Sequence, residues 1–200
     1  RGRKVRVRAR IDSRYYTDDT LPYVVGVVKG SGSEGQEVLI TGHLNEWGAN
    51  DNSSGVAAIL EAVGTLNGLI QSGRLPRPRR SIRVLLGAEM YGSLPYVAGN
   101  LEHLRDKTVA AACLDTTAEN YDLATTAFSI SMNPNVCPTF TDALFPEIVR
   151  RYYARYNKDR LWYTMPFSMG TDTYFCEPMI GVPTNWSFMS AGGGHLHHNS

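Results

Sequence analysis

The run Glu37-Val38-Leu39-Ile40-Thr41-Gly42-His43-Leu44-Asn45-Glu46-Trp47-Gly48-Ala49-Asn50-Asp51-Asn52-Ser53-Ser54-Gly55 decides how the rest of the chain is read. Residues 37–41 are a β-branched and aliphatic run bounded by Gly35 and Gly42, the pattern of a short buried strand. Val56, Ala57, Ile59, Leu60, Val63 and Leu66 then recur at helical spacing, which predicts a helix over about 54–69. Asn52, Ser53 or Ser54 can cap it through a side-chain oxygen. His43 therefore stands at the C-terminal end of a strand, and Asp51 just ahead of a helix N-terminus. In open α/β sheets that edge is where ligands bind. An Asn-Asp-Asn-Ser-Ser-Gly run also serves as an ordinary strand-to-helix connection, so this loop alone leaves a structural and a functional reading open.

Working outward, residues 23–29 read as a strand, and 5–11 as another with one wet face, because Lys4, Arg6, Arg8 and Arg10 alternate with Val5, Val7, Ala9 and Ile11. Asp18, Asp19 and Pro22 mark a turn region between them, so the two are expected to pair. Residues 73–80, with two prolines and four arginines, read as a linker. A strand follows at 82–86 and leads into Gly87-Ala88-Glu89-Met90-Tyr91-Gly92-Ser93, with a short helix expected near 94–100. Residues 109–114 form another apolar run, ending in Asp115. Over 140–156, Leu144, Ile148, Val149 and Tyr152 fall on one face and Arg150, Arg151 and Arg155 on another, the pattern of a surface helix that Pro146 should start or interrupt. Residues 167–175 read as a loop carrying Asp172, and Gly181-Val182-Pro183 introduces a last strand through Phe188. Strands alternating with helices predict an α/β fold, a largely parallel mixed sheet with helices on both faces.

Twenty basic against nineteen acidic residues leave a net charge of +1, which argues against a nucleic acid or an anionic membrane as partner. No run of eighteen apolar residues occurs, so no membrane span is expected. The three cysteines, Cys113, Cys137 and Cys176, are too far apart for a zinc knuckle or a disulfide framework, and Cys113 reads as a core residue. The chain opens without Met inside a strand pattern and stops inside a motif, so residues 1–200 are expected to be one catalytic domain truncated at both ends.

Three strand ends thus deliver His43, Glu89 and Asp115 to one edge, and loops add Asp51 and His198. A hydrolytic zinc site needs three or four nitrogen and oxygen ligands, an open position for water and a nearby carboxylate base, and this inventory suffices. Each member also has a structural alternative: a salt bridge for Glu89, a turn cap for Asp115, and a His-rich tail for His195, His197 and His198.

The string from His43 to Gly55 resembles the metal-binding segment of the M28 family of zinc aminopeptidases, and the resemblance extends over nearly all of 23–200. It implies that His43, Asp51, Asp115 and His198 are metal ligands, that Glu89 is the general base, and that Asp172 in Gly170-Thr171-Asp172 lines the same pocket, as a wall or an amine contact. It further implies Zn²⁺ as cofactor, a peptide or small amino-acyl substrate, release of N-terminal residues, and a leaning toward an extracytoplasmic setting.

Two positions depart from the family pattern. Asn45 stands where many members carry an Asp that orients the ligand imidazole. Met90 stands where the family places a carboxylate ligand of the second zinc, a position a thioether fills poorly. One tight ion is therefore expected, the second being weak, absent or ligated by a substitute such as Glu46. The same framework resembles glutaminyl cyclases, and a metal-poor binding or receptor domain of this fold is the non-enzymatic alternative.

Overall fold

Seven strands form one sheet in the order β1-β3-β2-β4-β7-β5-β6 in a computed structural model that describes residues 5–124 and 126–191. In chain order the elements are β1 (Val24–Val28), β2 (Glu37–His43), α1 (Ser53–Gln71), β3 (Ser81–Gly87), α2 (Ser93–Lys107), β4 (Thr108–Leu114), α3 (Tyr121–Ala124), β5 (Thr126–Ser131), α4 (Thr141–Tyr156), β6 (Trp162–Met165) and β7 (Thr184–Ala191). A 3₁₀ turn, Tyr174–Cys176, precedes β7. The central strands β3, β2, β4 and β7 run parallel, whereas β1 is antiparallel to β3 and β5 to β7. The sheet is mixed, as the α/β reading expects.

Each face of the sheet has its own apolar cluster. On one, Ile59 of α1 packs with Val84 and Leu86 of β3, with Ile40, Val56, Val63 and Leu114 around them. On the other, Tyr96, Val97 and Leu104 of α2 pack with Leu39, Leu85 and Ala111, and Tyr174 and Phe175 close the layer. Cys113 is fully buried and its thiol pKa is pushed well up by that burial. By length and composition α1 could cross a membrane, with a mean hydropathy of 1.3 over eighteen residues. Its Gly55, Ile59 and Ile70 are nevertheless buried, and the helix lies against β2 and β4.

Several elements depart from the sequence expectations. Residues 5–11 form no strand, and β1 pairs with β3 instead, so Val5, Val7 and Ile11 stay exposed. Alternation is a strand signal only where a ladder partner and an apolar surface are present to receive it. Among the described residues β1 pairs along one edge alone, and Val24, Val25 and Val27 are exposed. The helix expected at 94–100 runs on to Lys107 through a non-helical Asn100. There the Asn100 amide donates to the Tyr96 carbonyl, and Leu104 beyond the kink returns to the core.

Pro146 neither starts nor ends α4 but lies inside it, near the N-terminal end. That helix buries Thr141 and Tyr153 and leaves Leu144, Ile148 and Tyr152 exposed along with Arg150, Arg151 and Arg155, so the apolar stripe read from the sequence is not its packed face. Tyr153 decides the orientation, since its ring meets Phe128 and Trp162 and its hydroxyl meets that of Tyr121. The strands β5 and β6 have no counterpart among the sequence expectations. In β5 the buried positions include Ser129 and Ser131, so the strand lacks the apolar run that marks β2 and β3.

Candidate metal centre

The parallel register of β3, β2 and β4 brings three strand ends to one edge. His43 is the last residue of β2 and pairs with Gly87, so Glu89 follows two residues beyond the neighbouring strand end, while Asp115 directly follows β4. Asp51 arrives from the loop before α1. Imidazole Nε2 of His43 lies 3.3 Å from Asp51 Oδ1, 3.3 Å from Asp115 Oδ1 and 3.8 Å from Glu89 Oε1. His43, Asp51 and Asp115 are all buried, and Glu89 is half-buried.

Asn52 draws these loops together. Its Oδ1 accepts from Gly55 N, capping α1, and also from Thr116 N, while its Nδ2 donates to Leu114 O. One amide thus ties the start of α1 to the end of β4 and holds Asp51 beside Asp115. The approach is tight enough to require Gly55, where a Cβ would stand 2.4 Å from the Leu114 carbonyl oxygen. Asn50 adds a second tie, donating to Glu119 Oε1 and accepting from Ala118 N, and the Ser54 hydroxyl accepts from Thr117 N. The sequence offers Asn52, Ser53 or Ser54 as the cap, and the structure uses Asn52. Its bonds to β4, and the roles of Asn50 and Glu119, depend on a strand some sixty residues away and have no local signal.

Buried polar atoms are normally hydrogen-bonded. Here neither ring nitrogen of His43 has a hydrogen-bond partner among the described residues, nor has Asp115 Oδ1. Once neutral, an imidazole left that way amid carboxylates can ligate a cation that accepts from nitrogen and oxygen together. The ligand atoms of His43, Asp51 and Asp115 lie within 4.8 Å of one another, a span that a divalent ion with bonds of about 2.0–2.2 Å can draw in. A second group, His43, Glu46 and Glu89, meets the same limit and shares the imidazole with the first. The residues present therefore fit a metal ion.

Burial acts to lower the pKa of His43, but Asp115, Glu89 and Asp51 together outweigh it and push the ring up to about 9 in the metal-free site. Glu89 moves up from its ordinary value. Burial is the main cause, with Asp115 and Asp172 adding to it and His43 and Thr171 working against it.

Both departures noted in the sequence make contacts of their own. Asn45 bonds the neighbouring loop, its Oδ1 accepting from Glu89 N at 2.8 Å. Met90 packs against the apolar cluster of Tyr96, Val97, Tyr174 and Phe175. Asp172, expected at the pocket wall, is buried, and its Oδ1 accepts from Met90 N and from the Ser93 hydroxyl. His198 lies outside the described residues, as do His195 and His197. A cavity of about 210 Å³ opens beside His43, lined by Leu44, Glu46, Val56, Ala57 and Leu60 among others.

Residues 23–173 match the family model of peptidase family M28. Probable glutamate carboxypeptidase VP8 of Zea mays is 38% identical over 98 residues, covering 46% of this chain and 14% of that protein. Aminopeptidase NAALADL1 of Mus musculus is 35% identical over 118 residues, covering 56% of this chain and 15% of that protein. The chain therefore spans only a small part of the length of these relatives. Among solved structures, BSAP, a zinc aminopeptidase from Bacillus subtilis, superposes with a TM-score of 0.64 at 19% identity over 88% of this chain and 43% of its own. That likeness shows the fold, and the family model, which covers most of the chain, shows its kinship: the chain belongs to peptidase family M28.

Proposed function

We propose that this chain carries the catalytic centre of a metal-dependent peptidase, one that releases N-terminal residues from peptides. The observation that carries the reading is the buried imidazole of His43, without a hydrogen bond and within 4 Å of Asp51, Asp115 and Glu89. His43, Asp51 and Asp115 would hold the ion, with His198 as a further ligand. Zinc suits this mixed nitrogen and oxygen set, and bound there it supplies Lewis acidity and a water acidic enough to ionise near neutral pH.

Glu89 acts as the general base. Its raised pKa and its place at the rim of the buried trio suit a carboxylate that takes a proton from the attacking water and passes it to the leaving amine. The largely apolar cavity beside His43 would receive an aliphatic part of the substrate. Since position 90 is a Met that packs against the apolar cluster, the second ion lacks its expected carboxylate. Glu46, close to His43 and Glu89, is the substitute. One tight ion and one weaker ion follow.

The test is calorimetric titration of zinc into chelator-stripped protein, paired with hydrolysis of aminoacyl amides. One strong binding event that restores hydrolysis is the expected result. No rebinding would favour a non-catalytic binding domain, and ring closure of an N-terminal Gln peptide without amide hydrolysis would favour a glutaminyl cyclase. Two equally tight ions would overturn the reading of Met90.

A further inference from the structure

The residues that directly follow the two strand-end carboxylates share an uncommon backbone. Met90, after Glu89, has φ 55°, and Thr116, after Asp115, has φ 45°. Residues other than glycine enter this left-handed region at a cost and stay there only where surrounding contacts hold them. In both cases the holding contact is a buried side-chain oxygen that takes the N–H of the strained residue: Asn52 for Thr116 and Asp172 for Met90. Asn52 does so across 64 residues, from the cap of α1. Asp172 comes from a loop 82 residues away in sequence from Met90, and a buried carboxylate is an expensive way to satisfy one backbone donor.

We infer that Asp172 is a positioning residue for the general base: by binding Met90 N–H and the Ser93 hydroxyl at once, it fixes the turn from which Glu89 projects toward His43. The inference rests on the assignment of Glu89 as base. Glu89 N donates to Asn45 Oδ1 at 2.8 Å, and the next N–H, that of Met90, donates to Asp172 Oδ1 at 2.8 Å. The two peptides that flank the Glu89 Cα are thus each held, one by the loop after β2 and the other by the loop before β7. Ser93, the first residue of α2, donates to the same oxygen at 2.5 Å and ties the start of the helix to the clamp. With Asp172 removed, Met90 loses the partner that offsets its backbone strain, and the turn can relax into ordinary φ values. That rotates Glu89 away from the imidazole. Misplacement of a catalytic group by about 1 Å can lower turnover about a hundredfold.

A carboxylate that contacted substrate, or that merely supported the fold, would behave differently, so the test compares kcat, KM and bound metal across four variants of the metal-loaded protein. These are Asp172→Ala, Asp172→Asn, Glu89→Gln and the double variant Asp172→Ala/Glu89→Gln. Asp172→Ala is expected to lower kcat about 10- to 100-fold, with KM and metal content nearly unaltered. Asp172→Asn, which keeps an acceptor oxygen for both donors, should recover most of that loss. In the Glu89→Gln background Asp172→Ala should have almost no further effect, because the group it positions is already disabled.

If the two losses multiply, or if the folded Asp172→Ala protein keeps full kcat, Asp172 does not act through Glu89. A raised KM in Asp172→Asn would make it a substrate contact instead. Full activity of Glu89→Gln alone would refute the base assignment, a failure separate from that of the clamp. Should Asp172→Ala not fold, Ser93→Ala removes one arm of the clamp. A kcat loss seen only when Glu89 is present then supports the clamp, and a loss of the same size in the Glu89→Gln background overturns it.

Discussion

β2 begins at Glu37 and ends at His43, and both side chains are almost fully buried, yet the two ends of this one strand are built on opposite principles. Glu37 Oε1 accepts from Arg83 Nε at 2.8 Å and from Thr108 Oγ1 at 3.3 Å, and meets His103 Nε2 at 3.0 Å. Burial works to raise its pKa, but the bonds from Arg83 and His103 prevail and hold the carboxyl below its usual value. Every charge at that end has a counterpart within the chain. At the other end one imidazole faces three carboxylates, its nitrogens without hydrogen bonds and its pKa displaced upward. A closed network stabilises a fold, whereas an open one of the same burial requires something from outside.

Breaking the open end at its base should give the largest effect. Glu89→Gln is expected to lower turnover by about two to four orders of magnitude while leaving metal and fold in place, as steady-state rates and metal analysis would show. Loss of metal instead would make Glu89 a ligand. Next in size, Asp115→Asn should weaken the tight ion more than about a hundredfold, because changes to groups behind the ligands alone cost about 10–100-fold. Its metal-free melting temperature should also fall at neutral pH, since Asp115 is the main group holding the His43 ring protonated.

The closed end should show the reverse. Glu37→Gln strips the counter-charge from Arg83, whose side chain is about one-fifth exposed, so a stability loss of about 2 kcal/mol is expected with zinc affinity unaltered. Denaturant unfolding and titration would show both.

Acidity sharpens the contrast further. With His43 at about 9 in the metal-free site, a metal must displace its proton, so zinc affinity should climb about tenfold per pH unit below about 9 and level off above it. In the metal-free protein the sign is opposite. The folded pKa of His43 exceeds its ordinary 6.5, so its contribution to stability is complete below 6.5 and disappears as the pH rises through about 9. Flat affinity across this range would mean that the ring is already neutral. The smallest expected effect is at Glu46→Gln, which should weaken only the second ion, by about tenfold or less, since one partly exposed carboxylate is neutralised.

The strands β2, β3 and β4 and the helix after β2 are legible in the sequence because each is a compact apolar run or a helical repeat, and the site carboxylates sit at their ends. The loop residues that set the geometry are less so. Asn45 reads as an imidazole partner by position in the chain, but the β3 loop comes close enough to present Glu89 N–H first. Met90 reads as a poor ligand, and the structure gives the physical counterpart: its side chain has joined the cluster around Tyr174. The buried face of α4 is not legible, because apolar periodicity identifies a stripe without saying what lies opposite, and the aromatic contacts of Tyr153 with Phe128 and Trp162 outweigh it.

Among the described residues β1 pairs along one edge alone, and this bears on how the chain behaves in a test tube. An edge strand with unused N–H and C=O groups and outward valines at 24, 25 and 27 is a template for another strand. Concentrated solutions of residues 1–200 should therefore drift toward ribbon-like association through this edge long before the fold itself fails. Val25→Lys would place a charge on the template and lengthen the working life of the preparation, without touching any residue within reach of the imidazole.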